Sequence, residues 1–164
     1  MNKLLIVSAC LIGLNCKYNG KNNRYESLVK VFKKGKVIPV CPEQLGGLPT
    51  PRPPAKILGK DGKDVLSGTA KVLTVKGTPK DVTKNFLKGA YETLYVAELL
   101  KDKVIACILK EKSPSCGVKK IYKFEVDQLK DGMGVTAALL KEKGFKIISS
   151  EDKENIEKII EELG

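Results

Sequence analysis

The residues of this chain best suited to chemistry are its five cysteines, Cys10, Cys16, Cys41, Cys107 and Cys116. None of them belongs to a CxxC pair, so their spacing does not favour a zinc knuckle or a thioredoxin-type redox site. Their odd number also argues against a disulfide framework. Three thiolates from separate parts of the chain can instead hold a polynuclear iron centre that leaves one iron open. The alternative is that most of these thiols pack as small buried hydrophobes.

The chain contains no histidine. This absence excludes a Ser-His-Asp triad, a Cys-His nucleophile pair, a His-ligated haem and a Cys₂His₂ zinc site. Proton transfer must then fall to another group such as a carboxylate, and Glu43 lies two positions after Cys41. An ordinary residue in the first turn of a helix that begins at Pro42 is the alternative interpretation of Glu43.

The elements that must position these residues alternate between short β-branched apolar runs and amphipathic stretches. This pattern predicts an α/β fold, a single domain over residues 1–164 with three layers and a mostly parallel, Rossmann-like or flavodoxin-like sheet. The predicted strands cover 4–8, 37–40, 69–75, 104–109 and 145–149, and the predicted helices cover 25–34, 81–101, 134–143 and 151–163. Between them, the Pro- and Gly-rich segment 41–68 is predicted to be a long irregular loop insertion, with the strand at 69–75 closing on it as a small ribbon.

Three of the cysteines follow predicted strands: Cys10, Cys41 and Cys116. Ligands of open α/β sheets bind outside the carboxyl ends of the strands, so these three thiols occupy the kind of position where a site forms. Cys107 lies inside a predicted strand and is interpreted as a core residue. Cys16 is open to three interpretations: a fourth metal ligand, a thiol beside a ligand, or a packing residue.

Two serines flank Pro114 in the loop that carries Cys116. Ser113 is placed to hydrogen-bond a substrate ring, and Ser115 to cap backbone groups or to donate to a cluster sulfide. Both are also common turn residues. In the Pro-rich segment, Arg52 is expected either to meet a carboxylate or phosphate bidentately or to pin the loop.

Five stretches of sequence occur in a fixed order: SACLIGLNCKYNG, VIPVCPEQLGGLPTPRPP, DVTKNFLKGA, LKEKSPSCG and GVTAALL. Together they resemble the thiouracil desulfidase family over about residues 3–150. The resemblance implies an oxygen-sensitive [4Fe–4S] cluster held by three cysteines, which match Cys10, Cys41 and Cys116. It further implies that the fourth iron binds the sulfur of a thiolated pyrimidine, and that the family's acid/base glutamate and substrate-site serine fall on Glu43 and Ser113.

The chain departs from the family pattern at two places. Lys56 stands where the family usually has a glutamate, which puts a cation beside the expected pocket. The basic segment 118–124 replaces a stretch that is commonly Gly-rich in the family. Both changes bear on the substrate more than on cluster binding.

The function expected from these features is a non-redox desulfidase that converts a thiolated uracil to uracil and sulfide. The thiolated uracil would be a free base, a nucleotide or a thiouridine in tRNA. The net charge of +11 favours anionic partners and leaves a basic RNA-binding module as one alternative, although aromatics for base stacking are few. An iron–sulfur or zinc-binding protein without turnover is another. No apolar run approaches the length of a membrane span, so a cytoplasmic location without membrane partners is expected.

Overall fold

A computed structural model describes residues 2–164 of the chain. The elements follow one another as β1 (Leu4–Ser8), α1 (Glu26–Lys33), β2 (Val37–Val40), α2 (Pro42–Leu45), β3 (Ala55–Leu58), α3 (Gly62–Ser67), β4 (Lys71–Thr74), α4 (Thr83–Leu99), β5 (Val104–Leu109), β6 (Lys120–Tyr122), β7 (Leu129–Asp131), α5 (Val135–Glu142), β8 (Ile147–Ser149) and α6 (Lys153–Leu163).

The central sheet has the strand order β2-β1-β5-β8, and every neighbouring pair in it is parallel. Strands β1 and β5 are almost continuous apolar runs because helices cover both of their faces. The predicted α/β fold with a mostly parallel sheet is therefore confirmed. No helix within residues 2–164 is both long and apolar enough to cross a bilayer.

Side chains of the central strands alternate between two separate cores, as the period of two requires. Ile6, Cys107 and Leu109 point toward helices α4 and α5, where they pack with residues such as Phe86 and Leu140. Their neighbours along the strands instead pack against helices α1 and α6; this second core includes Leu5, Val7, Ala106, Ile108, Leu28 and Ile156. The sheet is thus the middle of three layers.

The prediction of an irregular loop over 41–68 is wrong, because this segment contains helix α2, strand β3 and helix α3. Helix α3 begins with a capping box in which Asp61 accepts from the N–H of Lys63 and Asp64 accepts from the N–H of Asp61. Strand β3 pairs antiparallel with β4, which confirms the small ribbon expected there. Helix capping and strand pairing therefore stabilise regular structure in this segment despite its proline and glycine content.

Two further features differ from the prediction. Strands β6 and β7 form an antiparallel hairpin in a region for which no strand was expected. Helix α6 begins two residues later than predicted, because Asp152 is its cap and its carboxylate accepts from the N–H of Asn155.

The short helix α2 lies directly against helix α4 through two glycines. A β-carbon on Gly46 would come within 2.0 Å of the Asn85 carbonyl oxygen, and one on Gly89 within 1.8 Å of the Pro42 carbonyl oxygen. Only glycine permits this approach of the two backbones. The contact fixes Cys41 and Glu43, at the start of α2, relative to the long helix.

Candidate active site

A cavity of about 670 Å³ opens beside the carboxyl ends of β1, β2 and β5. Its wall includes all five residues that the family resemblance singles out: Cys10, Cys41, Cys116, Glu43 and Ser113. A volume of this size lies in the ordinary range for small-molecule sites. The topology therefore brings together residues that are far apart in the sequence.

Each of the three cysteines is positioned by the end of a different strand. Cys10 lies in a single 3₁₀ turn after β1, and Cys41 comes directly after β2 and precedes the first residue of α2. Cys116 lies in the loop after β5, whose backbone is held to the start of α5 by the N–H groups of Val135 and Thr136, which donate to loop carbonyls. Among the described residues, no three His, Cys, Asp or Glu side chains converge as ligands of a single metal ion would. The three thiols nevertheless line the same cavity.

Cys107 lies elsewhere, in the middle of β5 with none of its surface exposed. Burial raises the pKa of the Cys107 thiol to about 12. The interpretation of Cys107 as a core residue is confirmed.

The Cys10 thiol is almost fully buried and accepts a long hydrogen bond, 3.7 Å, from the side-chain amide of Asn23. Burial raises the pKa of Cys10, while the Asn23 hydrogen bond and the positive charge of Lys110 act in the opposite direction. Lys17 holds the other end of the Asn23 amide at 3.3 Å. Asn23 was missed in the sequence, since nothing in its spacing connects it to Cys10.

Cys41 and Cys16 are neighbours on the cavity wall. The Cys16 thiol donates a hydrogen bond to Cys41, which lowers the pKa of Cys41; the N–H of Gln44 and the charge of Arg52 add to this effect. The same contact raises the pKa of Cys16, as does burial. The Sγ of Cys41 also lies 3.7 Å from the Cys16 carbonyl oxygen. Cys16 is therefore a buried thiol on the cavity wall beside a candidate ligand.

Cys116 is the most deeply enclosed of the three candidate ligands. Burial raises its pKa to about 12, although hydroxyl groups of Ser8 and Ser115 donate toward its sulfur. The Ser115 Oγ lies 3.6 Å from Sγ of Cys116. Bonds of this kind to a cysteine sulfur stabilise its thiolate form.

Glu43 is held on both carboxylate oxygens. The Nε of Arg52 donates to Oε1 at 3.0 Å, and the hydroxyl of Ser115 donates to Oε2 at 3.0 Å. The Arg52 side chain is 5% exposed and the Glu43 side chain 16%. Arg52 also donates to the carbonyl oxygens of Pro49 and Cys16 and to the hydroxyl of Thr50. Arg52 therefore pins its loop, as expected, and it binds the Glu43 carboxylate through a single hydrogen bond rather than bidentately.

The two serines of the loop differ in what they contact. Ser113 Oγ accepts from the backbone N–H groups of Ser115 and Cys116, at 3.2 and 3.1 Å, and so closes the turn around Pro114. Ser115 is the serine that contacts Glu43, and its Oγ lies 3.0 Å from that of Ser113. A continuous hydroxyl chain therefore joins Ser113 to the Glu43 carboxylate.

Glu111 is a further carboxylate on the cavity wall that the sequence did not reveal, and it is only 3% exposed. Its Oε1 accepts from the backbone N–H groups of Val118, Lys119 and Lys120 at 2.7 to 3.1 Å. Burial opposes ionisation of Glu111, but hydrogen bonds from Ser149 and from these N–H groups outweigh it and lower the pKa of Glu111. Glu111 thus organises the backbone that follows Cys116.

Positive charge dominates the rest of the wall, which includes Lys17, Lys56, Lys76, Lys110 and Lys112. Lys56, at the position that is usually acidic in the resembled family, donates to Asp127 at 2.8 Å and lies 5.7 Å from the centroid of the Tyr122 ring. It therefore connects the β3–β4 ribbon to the β6–β7 hairpin at the cavity mouth.

The backbone N–H groups of four loop glycines are not free to donate into the cavity. Their N–H groups are used within the chain: Gly13 donates to Cys10, Gly46 to Pro42, Gly47 to Gln44 and Gly117 to Ser113, all to carbonyl oxygens. These glycines shape the turns that hold the thiols in place.

As a donor set, three thiols with no imidazole suit an iron–sulfur cluster, whose usual protein ligands are cysteine thiolates. The wall beside them supplies a carboxylate, two hydroxyls and several cations. These groups can bind a polar, anionic or sulfur-bearing molecule and move a proton to or from it.

Known proteins similar to this chain include an iron–sulfur protein. A sequence profile of the 2-thiouracil desulfurases matches residues 5–152. The uncharacterized protein YbbK of Bacillus subtilis (strain 168) is 45% identical over 154 residues, which cover 93% of this chain and 99% of that protein. The solved structure of a [4Fe–4S]-dependent thiouracil desulfidase, TudS, is 33% identical and superposes with a TM-score of 0.81 over 97% of this chain and 98% of that chain.

Proposed function

The chain belongs to the 2-thiouracil desulfurase family, and on that basis we propose that it is an iron–sulfur-dependent desulfidase that converts a thiolated uracil to uracil and sulfide. The observation that carries this proposal is the meeting of Cys10, Cys41 and Cys116 around a single cavity that also contains Glu43. The likeness to a [4Fe–4S]-dependent thiouracil desulfidase supports it.

Cys10, Cys41 and Cys116 are the residues that would hold the [4Fe–4S] cluster. Three protein ligands leave one iron without a cysteine, and that iron supplies a Lewis acid with high affinity for the exocyclic sulfur of the substrate. Asn23, Ser115 and Ser8 support the thiolates through hydrogen bonds, as groups around a metal's ligands generally do.

Glu43 is the proposed acid/base residue. Replacement of sulfur by oxygen at a ring carbon requires a water molecule to lose its protons, and a carboxylate facing the cavity can accept one of them. The Arg52 guanidinium donates to Oε1 of Glu43 and the Ser115 hydroxyl donates to Oε2, each at 3.0 Å. Since Arg52 is fixed by four acceptors, it also holds the carboxylate in one orientation.

Ser113 is the proposed contact to the substrate ring. Its oxygen already accepts two backbone N–H bonds, so its own hydrogen is available to a ring oxygen or nitrogen or to the Ser115 oxygen. Ser115 in turn donates to Glu43. The two hydroxyls therefore link the ring position to the acid/base residue.

Among the possible forms of the substrate, the cationic wall favours one that carries phosphate, a nucleotide or a tRNA thiouridine, over the free base. Of the wall's three acids, Glu43 is paired with Arg52, Glu111 with backbone N–H groups and Asp127 with Lys56. Lys112 is paired with Glu151 outside the wall, which leaves the charges of Lys17, Lys76 and Lys110 for an anionic substrate.

Anaerobic reconstitution of the full chain with iron and sulfide, followed by incubation with thiouracil, its nucleotide and a thiolated tRNA, tests the proposal. Sulfide release, with turnover highest on a phosphate-bearing form and inhibited by salt for that form alone, is the expected result. A reconstituted protein that contains iron but releases no sulfide from any of them would be a cluster-binding protein without turnover.

A further inference from the structure

The Cys16–Cys41 contact has no part in the desulfidation steps above. Drawing on the proposed function only for the ligand role of Cys41, we infer that these two cysteines form a redox modification site: when the cluster is absent, hydrogen peroxide or a related hydroperoxide converts them to a disulfide that preserves Cys41 for later cluster assembly.

The geometry singles out this pair among the five thiols. The Sγ of Cys41 lies 3.7 Å from the carbonyl oxygen of Cys16, and within residues 2–164 no other cysteine has an atom at hydrogen-bonding distance from the Cys41 sulfur. The nearest hydrogen-bond partners of the other candidate ligands are not thiols: Cys10 is bonded by Asn23, and Cys116 by Ser115 and Ser8. Cys107 is enclosed in the core. Within residues 2–164, Cys16 is thus the thiol placed to react with an oxidised Cys41.

Access to an oxidant is also unequal. Cys41 is partly exposed, whereas Cys10, Cys16 and Cys116 are buried, and both Cys16 and Cys41 lie on the cavity wall. A small oxidant that enters the cavity therefore reaches the partly exposed Cys41 more readily than the buried Cys16.

The reaction balances with peroxide as the only co-reactant. The Cys41 thiolate attacks one peroxide oxygen, the O–O bond breaks, and Cys41 becomes a sulfenic acid with release of water. The Cys16 sulfur then attacks the Cys41 sulfur, the S–O bond breaks, and a second water leaves as the S–S bond forms. Two thiols are oxidised by two electrons and one peroxide is reduced to two waters. Without Cys16, the sulfenic acid is open to a second peroxide and to irreversible sulfinic acid.

The test begins with the full chain freed of iron anaerobically and treated with one equivalent of hydrogen peroxide. Free thiols are then blocked with N-ethylmaleimide, and the chain is digested and mapped by mass spectrometry without reduction. Cys10 and Cys16 share one tryptic peptide, so the Cys10→Ser variant is mapped in parallel to assign the linked sulfur. A Cys16–Cys41 link in both proteins is expected. A link from Cys41 to Cys10 or Cys116, or a Cys41 that remains free or accumulates as sulfinic acid in the wild type, would overturn the inference.

Cys16→Ser provides the second readout. After peroxide, dithiothreitol and renewed iron and sulfide, the wild type is expected to regain its cluster absorbance, and Cys16→Ser to regain several-fold less because its Cys41 is sulfinic acid. Equal recovery of the two would overturn the protective role. If Cys16→Ser fails to fold by circular dichroism, the wild-type and Cys10→Ser maps decide alone. A chain that forms the link but never takes up iron would contradict the proposed function and leave the disulfide site standing.

Discussion

Arg52 donates from Nε to Oε1 of Glu43 over 3.0 Å, and it does so from a side chain that is 5% exposed. Because Arg52 also binds the carbonyl oxygens of Pro49 and Cys16, the ion pair ties the carboxylate, its loop and the segment that carries Cys16 into one unit. A buried pair of this kind is costly to break on one side, since the remaining charge is left without a partner.

Glu43→Gln removes the negative charge and the proton acceptor but keeps the size of the side chain. Turnover of thiouracil is expected to fall by about 100-fold or more, in the range typical for loss of a general acid or base. Iron content should stay close to that of the wild type, because Glu43 is not a proposed ligand. Steady-state sulfide release and iron analysis measure the two quantities, with Glu92→Gln on the exposed face of α4 as the matched control. Wild-type turnover in Glu43→Gln would contradict the acid/base assignment.

Ser113→Ala and Ser115→Ala are expected to differ in their effects on turnover and on thermal stability. Ser115→Ala removes the bond to Oε2 of Glu43, so its turnover is expected to fall while its iron content holds. Ser113→Ala removes the acceptor of two N–H groups in the turn that carries Cys116, and its melting temperature should fall as well. Thermal unfolding followed by circular dichroism, together with iron analysis, distinguishes them; identical behaviour of the two variants would refute this division.

The free energy of unfolding is expected to depend on pH through the ionisation of Glu111. Its pKa is lowered in the folded state, because hydrogen bonds from Ser149 and from backbone N–H groups outweigh burial. Its contribution is therefore complete above the pKa of the unfolded chain and is lost as the pH falls through the lower, folded value. Glu111→Gln is expected to reduce the free energy of unfolding by about 1–3 kcal/mol at neutral pH.

Urea unfolding at several pH values measures this effect, with the exposed Glu98→Gln as control. The difference between wild type and Glu111→Gln should shrink toward acid pH. A difference that is constant across pH would show that the Glu111 charge contributes nothing to stability.

Gly89→Ala is expected to destabilise the protein, although a change from glycine to alanine usually stabilises a helix. Alanine normally stabilises a helix interior by about 1 kcal/mol relative to glycine. At Gly89 the added β-carbon would lie 1.8 Å from the Pro42 carbonyl oxygen, so helix α2 must move away from α4. We expect a lower melting temperature and a lower turnover, since Cys41 and Glu43 move with α2. The exposed neighbour Lys88→Ala is the control, and a stabilised Gly89→Ala would show that the two helices do not pack in this way.

The sequence predicted the parts of the fold whose local pattern has one interpretation. Strands Leu4–Ser8, Val37–Val40 and Val104–Leu109 were predicted with the bounds that the structure has, because strands covered on both faces are continuous apolar runs. The rule that sites form at the carboxyl ends of such strands then placed Cys10, Cys41 and Cys116 at one edge. By contrast, α3 and the β6–β7 hairpin depend on capping and pairing that proline, glycine and lysine content concealed.

The hydrogen-bond partners of the site residues could not be predicted from the sequence, because they are distant along the chain. Asn23 binds Cys10 across 13 positions, and Ser115 binds Glu43 across 72. Glu111 gathers its N–H groups from a turn seven to nine residues away. None of these contacts has a local periodicity. Each exists only once the strands have brought their loops together.

The measurement that tests the central claim most directly is the iron and sulfide content of the anaerobically reconstituted chain and of its single cysteine variants. The wild type is expected to bind a four-iron cluster, and Cys10→Ser, Cys41→Ser and Cys116→Ser each to lose most of its iron. Cys107→Ser, a change in the core of β5, should retain it if the variant folds. An iron-free wild type, or full iron retention in any of the three cavity variants, would contradict the account.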